Sequence, residues 1–97
     1  MIAVLVTFSF DRPFDASALR AIARRARGKF EVMPGLRSKA FTIDETQRRA
    51  INFYIWDDEK AARSFFTPEV IGNIAQIYGV TPTVTFLDIA EIVDNAH

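Results

Sequence analysis

Apolar residues alternate along positions 2–10, with Ile2, Val4, Val6, Phe8 and Phe10 in one phase and Ala3, Leu5, Thr7 and Ser9 in the other. Period two among β-branched and aromatic types predicts a strand. DRPFD interrupts it, and the period then changes. Leu19, Ile22, Ala23, Ala26 and Phe30 recur at helical spacing. Asp15 is placed to cap this helix, because its carboxylate can accept from free N–H groups of the first turn. Phe14 and Leu19 have the spacing of a hydrophobic staple, and Gly28 is expected to end the helix. MPG (33–35) predicts a turn. Residues 36–43 and 49–57 then alternate as two strands of a hairpin joined near DETQ.

Asp57 or Asp58 can cap a short helix over DEKAARSFF. Thr67-Pro68-Glu69 restarts a helix with a capping hydroxyl, proline at the first position and an acid in the first turn. Val70, Ile71, Ile74, Ala75 and Tyr78 form its apolar face, with Glu69, Asn73 and Gln76 on the wet side. Gly72 within it is expected to allow close packing, and Gly79 suits the C-terminal cap. A last strand is expected over 82–93. The order β-α-β-β-α-β predicts an α+β, ferredoxin-like plait: an antiparallel sheet with its helices on one face.

That prediction leaves the other face open. INFYIW (51–56) is apolar in both phases, and Leu5 and Ala3 extend the second apolar face onto the first strand. An exposed face of this kind is a large adhesive patch, which a second copy of the chain would cover. A homodimer is therefore expected.

Composition narrows the classes. Ninety-seven residues fit one domain, spanning 1–97. Twelve basic and twelve acidic residues leave no net charge, and so no general attraction to nucleic acid or to an anionic membrane. Without cysteine there is no disulfide, thiol nucleophile or thiolate metal site. MIAVLVTFSF lacks a basic start and a small-residue cleavage site, so it reads as a strand, not a signal peptide. No apolar run approaches the roughly 20 residues that span a bilayer, and a cytoplasmic protein is expected. The one histidine is His97, which excludes a paired-histidine metal site and an internal Ser-His-Asp triad. No glycine-rich phosphate loop is present.

FSFDRPF (8–14), PGLRSKAFT (34–42), FYIWDDEKAA (53–62) and YGV (78–80) together resemble the dimeric α+β barrel superfamily, which includes the antibiotic-biosynthesis mono-oxygenases. The likeness is greatest to the YdhR-type members. It implies a ferredoxin-like subunit that dimerises, with a pocket between sheet and helices. It also implies oxygenation of a flat aromatic, quinol-type substrate without flavin, metal or haem, the reduced substrate supplying the electron to oxygen. An Asn and a Trp on the strand before the second helix line the pocket in that group. Asn52 and Trp56 match them here, with Tyr54 between on the same face. The haem-degrading branch uses a histidine in its second-helix region, which this chain lacks.

These residue types fit the chemistry. A carbanion or phenolate in a dry pocket puts negative charge on an oxygen, and amide and indole N–H groups can donate to it. Asn52 and Trp56 are thus the candidate catalytic donors, and Tyr54, Phe8, Phe41 and Phe66 the candidate walls of an aromatic-binding pocket. Both donors also have structural readings, as a satisfied buried amide and a large core residue. Lys39, with Arg37, reads as protective charge on an edge strand. Its alternative is a cation pointing into the pocket beside a phenolate. Arg20, Arg24, Arg25, Arg27 and Lys29 read as a solvated helix face. Besides the mono-oxygenase, two other readings stay open: a non-catalytic binder of a hydrophobic small molecule, and an isomerase or lyase.

Overall fold

The structure is a computed structural model, described here for residues 1–11 and 13–95. Strand β1 (Ile2–Ser9) leads into helix α1 (Ala16–Phe30). A hairpin of β2 (Leu36–Asp44) and β3 (Arg49–Trp56) follows, then α2 (Glu59–Phe65), α3 (Pro68–Tyr78) and β4 (Thr83–Asp88). The four strands form one antiparallel sheet in the order β2-β3-β1-β4. This is the expected plait, with the second helical segment divided in two.

The caps lie where the sequence puts them. The Asp15 carboxylate accepts from the Ala18 N–H at 3.0 Å, Asp58 from Ala61 at 2.8 Å, and the Thr67 hydroxyl from Val70 at 3.2 Å. Gly79 closes α3 in the left-handed region at φ 82°. The hairpin turn is held by Asp44, whose carboxylate accepts from Arg49 at 3.0 Å and from the Gln47 N–H at 3.1 Å. Those bonds, the one from Arg49 first, hold the Asp44 carboxyl below the usual carboxylate range.

Three expectations are corrected. Helix α1 passes through Gly28 and ends at Phe30. Phe30 sits edge-on to Tyr54, Phe41 and Phe65, and that aromatic packing holds the final turn. The last strand stops at Asp88 instead of 93, because Asp88 pairs with Ile2, the first residue of β1, and further residues have no partner there. Gly72 is exposed, and a Cβ there would meet no other element within 4 Å among the described residues, so it serves no close approach.

Ile2, Val4, Val6 and Phe8 of β1 and Ala50, Tyr54 and Trp56 of β3 form the core layer beneath the helices, with Leu19, Ala62 and Phe66 above. Burying each large side chain contributes on the order of 1.5–3 kcal/mol. Among the described residues, no helix covers the opposite phase of the sheet: Leu5, Ile51, Phe53 and Ile55 there are only half-buried and Leu87 is exposed. Among the described residues, no helix is long and apolar enough to cross a membrane.

Candidate functional site

The cleft between α1, α3 and the helix-covered sheet face begins with a fault in a strand. β2 pairs regularly with β3 except for a bulge between Leu36 and Ser38. A bulge shifts the side-chain phase by one residue. Leu36 opposite Trp56 and Lys39 opposite Tyr54 therefore lie on the same, helix-covered side. Without the bulge, Lys39 would point to the open face. The edge-strand reading of Lys39 is thus corrected, whereas Arg37 stays exposed and pairs with Asp57 at 3.3 Å.

Inside the cleft the Lys39 ammonium donates to the Tyr54 hydroxyl at 2.7 Å. Three ring faces surround it, with centroids of Phe30, Tyr54 and Phe41 at 3.5, 4.1 and 4.3 Å. Burial first, and then the nearby charge of Lys29, push the Lys39 amine down to about 7 from an ordinary 10.5. Burial also raises Tyr54 and Tyr78 above the usual phenol range, so both hydroxyls remain protonated donors at neutral pH.

Asn52, on β3, is buried and donates its amide N–H to the Tyr78 hydroxyl of α3 at 3.1 Å. Tyr78 in turn lies flat on Phe8, centroids 3.8 Å apart. Two adjoining cavities of about 350 and 360 Å³ share Phe41, Asn52 and Tyr78 as a common wall. The second is lined also by Phe30, Lys39, Tyr54, Phe65 and Ile77.

The candidate residues divide into two layers. Asn52, Tyr54, Phe41 and Lys39 reach the cleft together. Trp56, Phe8 and Phe66 do not line it; they lie one layer down. The Trp56 ring is parallel to Tyr54 at 6.1 Å and packed against Phe65 and Phe66. Its indole Nε1 is buried without a hydrogen-bond partner among the described residues. The alternation that placed Asn52, Tyr54 and Trp56 on one face is correct, but Phe65 and Phe66 cover the Trp56 end.

Two contributions come from side chains that the sequence reading did not assign to the site. Tyr78 joins the site through Asn52, from an element 26 residues away. The basic stretch of α1 is more than a solvated face: Arg25 and Lys29 line one cavity, and Arg20 and Arg24 the other. The signal was present, since Ile22, Arg25, Ala26, Lys29 and Phe30 follow the helical i, i+3, i+4, i+7, i+8 template. Among the described residues, no group of three His, Cys, Asp or Glu side chains could hold a metal ion.

Comparison with solved structures shows the fold. The chain superimposes on Rv0793 from Mycobacterium tuberculosis with a TM-score of 0.70 at 22% identity, covering 96% of this chain and 98% of that one. The fold is that of the antibiotic-biosynthesis mono-oxygenases. The mono-oxygenase ActVA-Orf6 of Streptomyces coelicolor, in complex with Nanaomycin D, matches with a TM-score of 0.68 at 17% identity over 98% of this chain and 92% of its own. SnoaB, a cofactor-independent oxygenase from Streptomyces nogalater, matches with a TM-score of 0.67 at 13% identity over 95% of both chains. No family model and no curated protein matches the sequence.

Proposed function

We propose that the chain is a cofactor-independent mono-oxygenase acting on a small, flat, quinol-type aromatic held in this cleft. The observation that carries the reading is the Lys39–Tyr54 pair beside Asn52 in an aromatic-walled cavity. An amine near neutrality can take the substrate's acidic proton. The Asn52 amide and the protonated tyrosine hydroxyls can donate to the oxygen that becomes negative. The anion then gives an electron to O2, and the two radicals combine to a peroxide that takes back the proton held by Lys39; cleavage of the O–O bond with loss of the hydrogen on the same carbon releases water and leaves a carbonyl oxygen there. In this reading Asn52 is the donor at the wall, and Trp56 acts from below by fixing the Tyr54 ring. Kinship to the YdhR-type members belongs to the same reading, as do the oxygenase neighbours and their shared fold.

A second copy of the chain completes the proposal. Leu5, Phe53, Ile55 and Leu87 form an apolar sheet face that no helix covers, and a homodimer through that face would bury it.

Oxygen uptake tests the function. Purified protein is mixed with a panel of naphthohydroquinones and anthrahydroquinones in an oxygen-electrode cell, against matched autoxidation blanks. Uptake above the blank, lost in Asn52→Ala and Lys39→Met, is expected. Saturable binding without uptake would replace the oxygenase with a binding protein. Product formed equally in the absence of oxygen would replace it with an isomerase or lyase.

A further inference from the structure

Helix α1 carries five basic residues and no acidic one, although the chain as a whole is neutral. Two features of ordinary helix design would account for such charge, and neither does so for most of them. Cations favour the last helical turn, which explains Arg27 and Lys29. Ion pairing explains Arg27 again, which sits 3.8 Å from Glu31. Arg20, Arg24 and Arg25 have neither explanation; no carboxylate pairs with them among the described residues.

Their spacing is itself unfavourable to the helix. Arg20 and Arg24 are four residues apart, and so are Arg25 and Lys29. Like charges at this separation destabilise a helix. Both pairs border the cleft: the first lines one cavity and the second lines the other, which also holds Lys39. Among the described residues, no aspartate or glutamate lines either cavity. The mouth is therefore positive on its α1 side, apolar at Ile77 of α3, and aromatic within.

We propose that the ligand of this cleft is a flat aromatic carboxylate, its ring system lying against Phe41, Tyr54 and Phe30 and its carboxylate directed to Arg25 and Lys29 at the mouth. This deepens the proposed function and rests on its reading that the cleft is the binding site. A carboxylate there relieves the Arg25–Lys29 repulsion and accepts charge-assisted hydrogen bonds. A low-dielectric wall on the sheet side strengthens the attraction over that at an open surface. Cavities of 350–360 Å³ stand at the small end of the usual range for ligand sites, about 300–1,000 Å³, which favours a few fused rings.

The test is calorimetric titration of the protein with 2-naphthoate and with its uncharged counterpart 2-naphthamide, at low and at high ionic strength. The carboxylate should bind about tenfold more tightly than the amide or better, and added salt should erode that preference while leaving the amide unchanged. The double variant Arg25→Gln/Lys29→Gln keeps two good helix formers and should bring the two ligands to equal affinity. Lys60→Gln, on α2, should leave the preference intact. Equal affinity in the unaltered protein would overturn the anionic ligand and spare the cleft as a binding site. A preference that persists in the double variant would also overturn it, by placing the charge recognition elsewhere. Failure of both ligands to bind folded protein would remove the cleft reading itself, and this inference with it.

Discussion

Replacing Lys39 with methionine should stabilise the fold, and should do so most at low pH. Between pH 7 and 10.5 an unfolded chain keeps a proton on Lys39 that the folded chain has released. The unfolded state binds more protons there, so stability rises with pH across that window. Below pH 7 the ammonium is present in both states, and the folded protein bears the full penalty of its desolvation. At about 1.4 kcal/mol per pH unit, the displacement from 10.5 to about 7 corresponds to an upper limit of about 5 kcal/mol. Opposing effects reduce it. The ring faces of Phe30, Tyr54 and Phe41, within 3.5–4.3 Å, favour the cation by about 0.5–2 kcal/mol, and the part-open cleft screens it. Losing the bond to Tyr54 costs about 1 kcal/mol at any pH. The balance leaves a gain of about 2 kcal/mol for Lys39→Met at pH 6, falling markedly by pH 9. Urea unfolding of both proteins at fixed protein concentration, at pH 6, 7.5 and 9, measures it. A difference that does not change with pH would refute the reasoning. It would mean that the rings hold the ammonium as well as water does, and that Lys39 is no base at neutral pH.

Three further outcomes follow from local geometry. Gly35 sits at φ +82°, and a Cβ there would lie 2.8 Å from the Ala61 Cβ, so Gly35→Ala should lose about 2–4 kcal/mol from left-handed strain and overpacking, read by urea unfolding. Asn52→Ala removes the donor to Tyr78 and should lose about 1–3 kcal/mol; unchanged stability would mean that the 3.1 Å bond contributes nothing. Phe53→Asp places a charge on the uncovered sheet face and should convert the proposed dimer to a folded monomer by light scattering, with circular dichroism unchanged; a dimer that persists would put the interface elsewhere.

What the sequence made legible depended on the range of the cause. The caps at Asp15, Asp58 and Thr67 act over three residues, and their side chains announced them. The shared face of Asn52 and Tyr54 followed from period two in an uninterrupted strand. Lys39 was different, because its direction depends on one extra residue at the bulge, and no turn-forming signal marks the pair Arg37-Ser38. Gly28 carried a local stop signal that the aromatic contacts of Phe30 overrode. The overlong last strand failed for lack of a neighbour, which only the register with β1 reveals. Trp56 kept its predicted face, while its depth was set by the packing of Phe65 and Phe66.

The polar groups of the sheet are distributed in a way that stability alone does not explain. On the helix-covered face, β1 contributes only Ile2, Val4, Val6 and Phe8, and the layer is apolar. One strand over, Asn52 and Tyr54 interrupt it, and at the edge Lys39 brings a cation into contact with three rings. An apolar residue at any of these positions would fill the layer without the desolvation of an amide or ammonium. The polar groups nevertheless occupy adjacent strands, Lys39 opposite Tyr54 with Asn52 two residues before it on β3, and face the basic side of α1. Desolvated groups scattered through a core would mark separate structural bonds. Groups gathered on one wall, two of them hydrogen-bonded to tyrosines whose hydroxyls stay protonated, fit the proposed function, in which proton donors and a near-neutral base serve one ligand. In the proposed oxygenase, the destabilisation expected of charged Lys39 is the thermodynamic counterpart of its role: burial that penalises the ammonium would free the amine to take a proton.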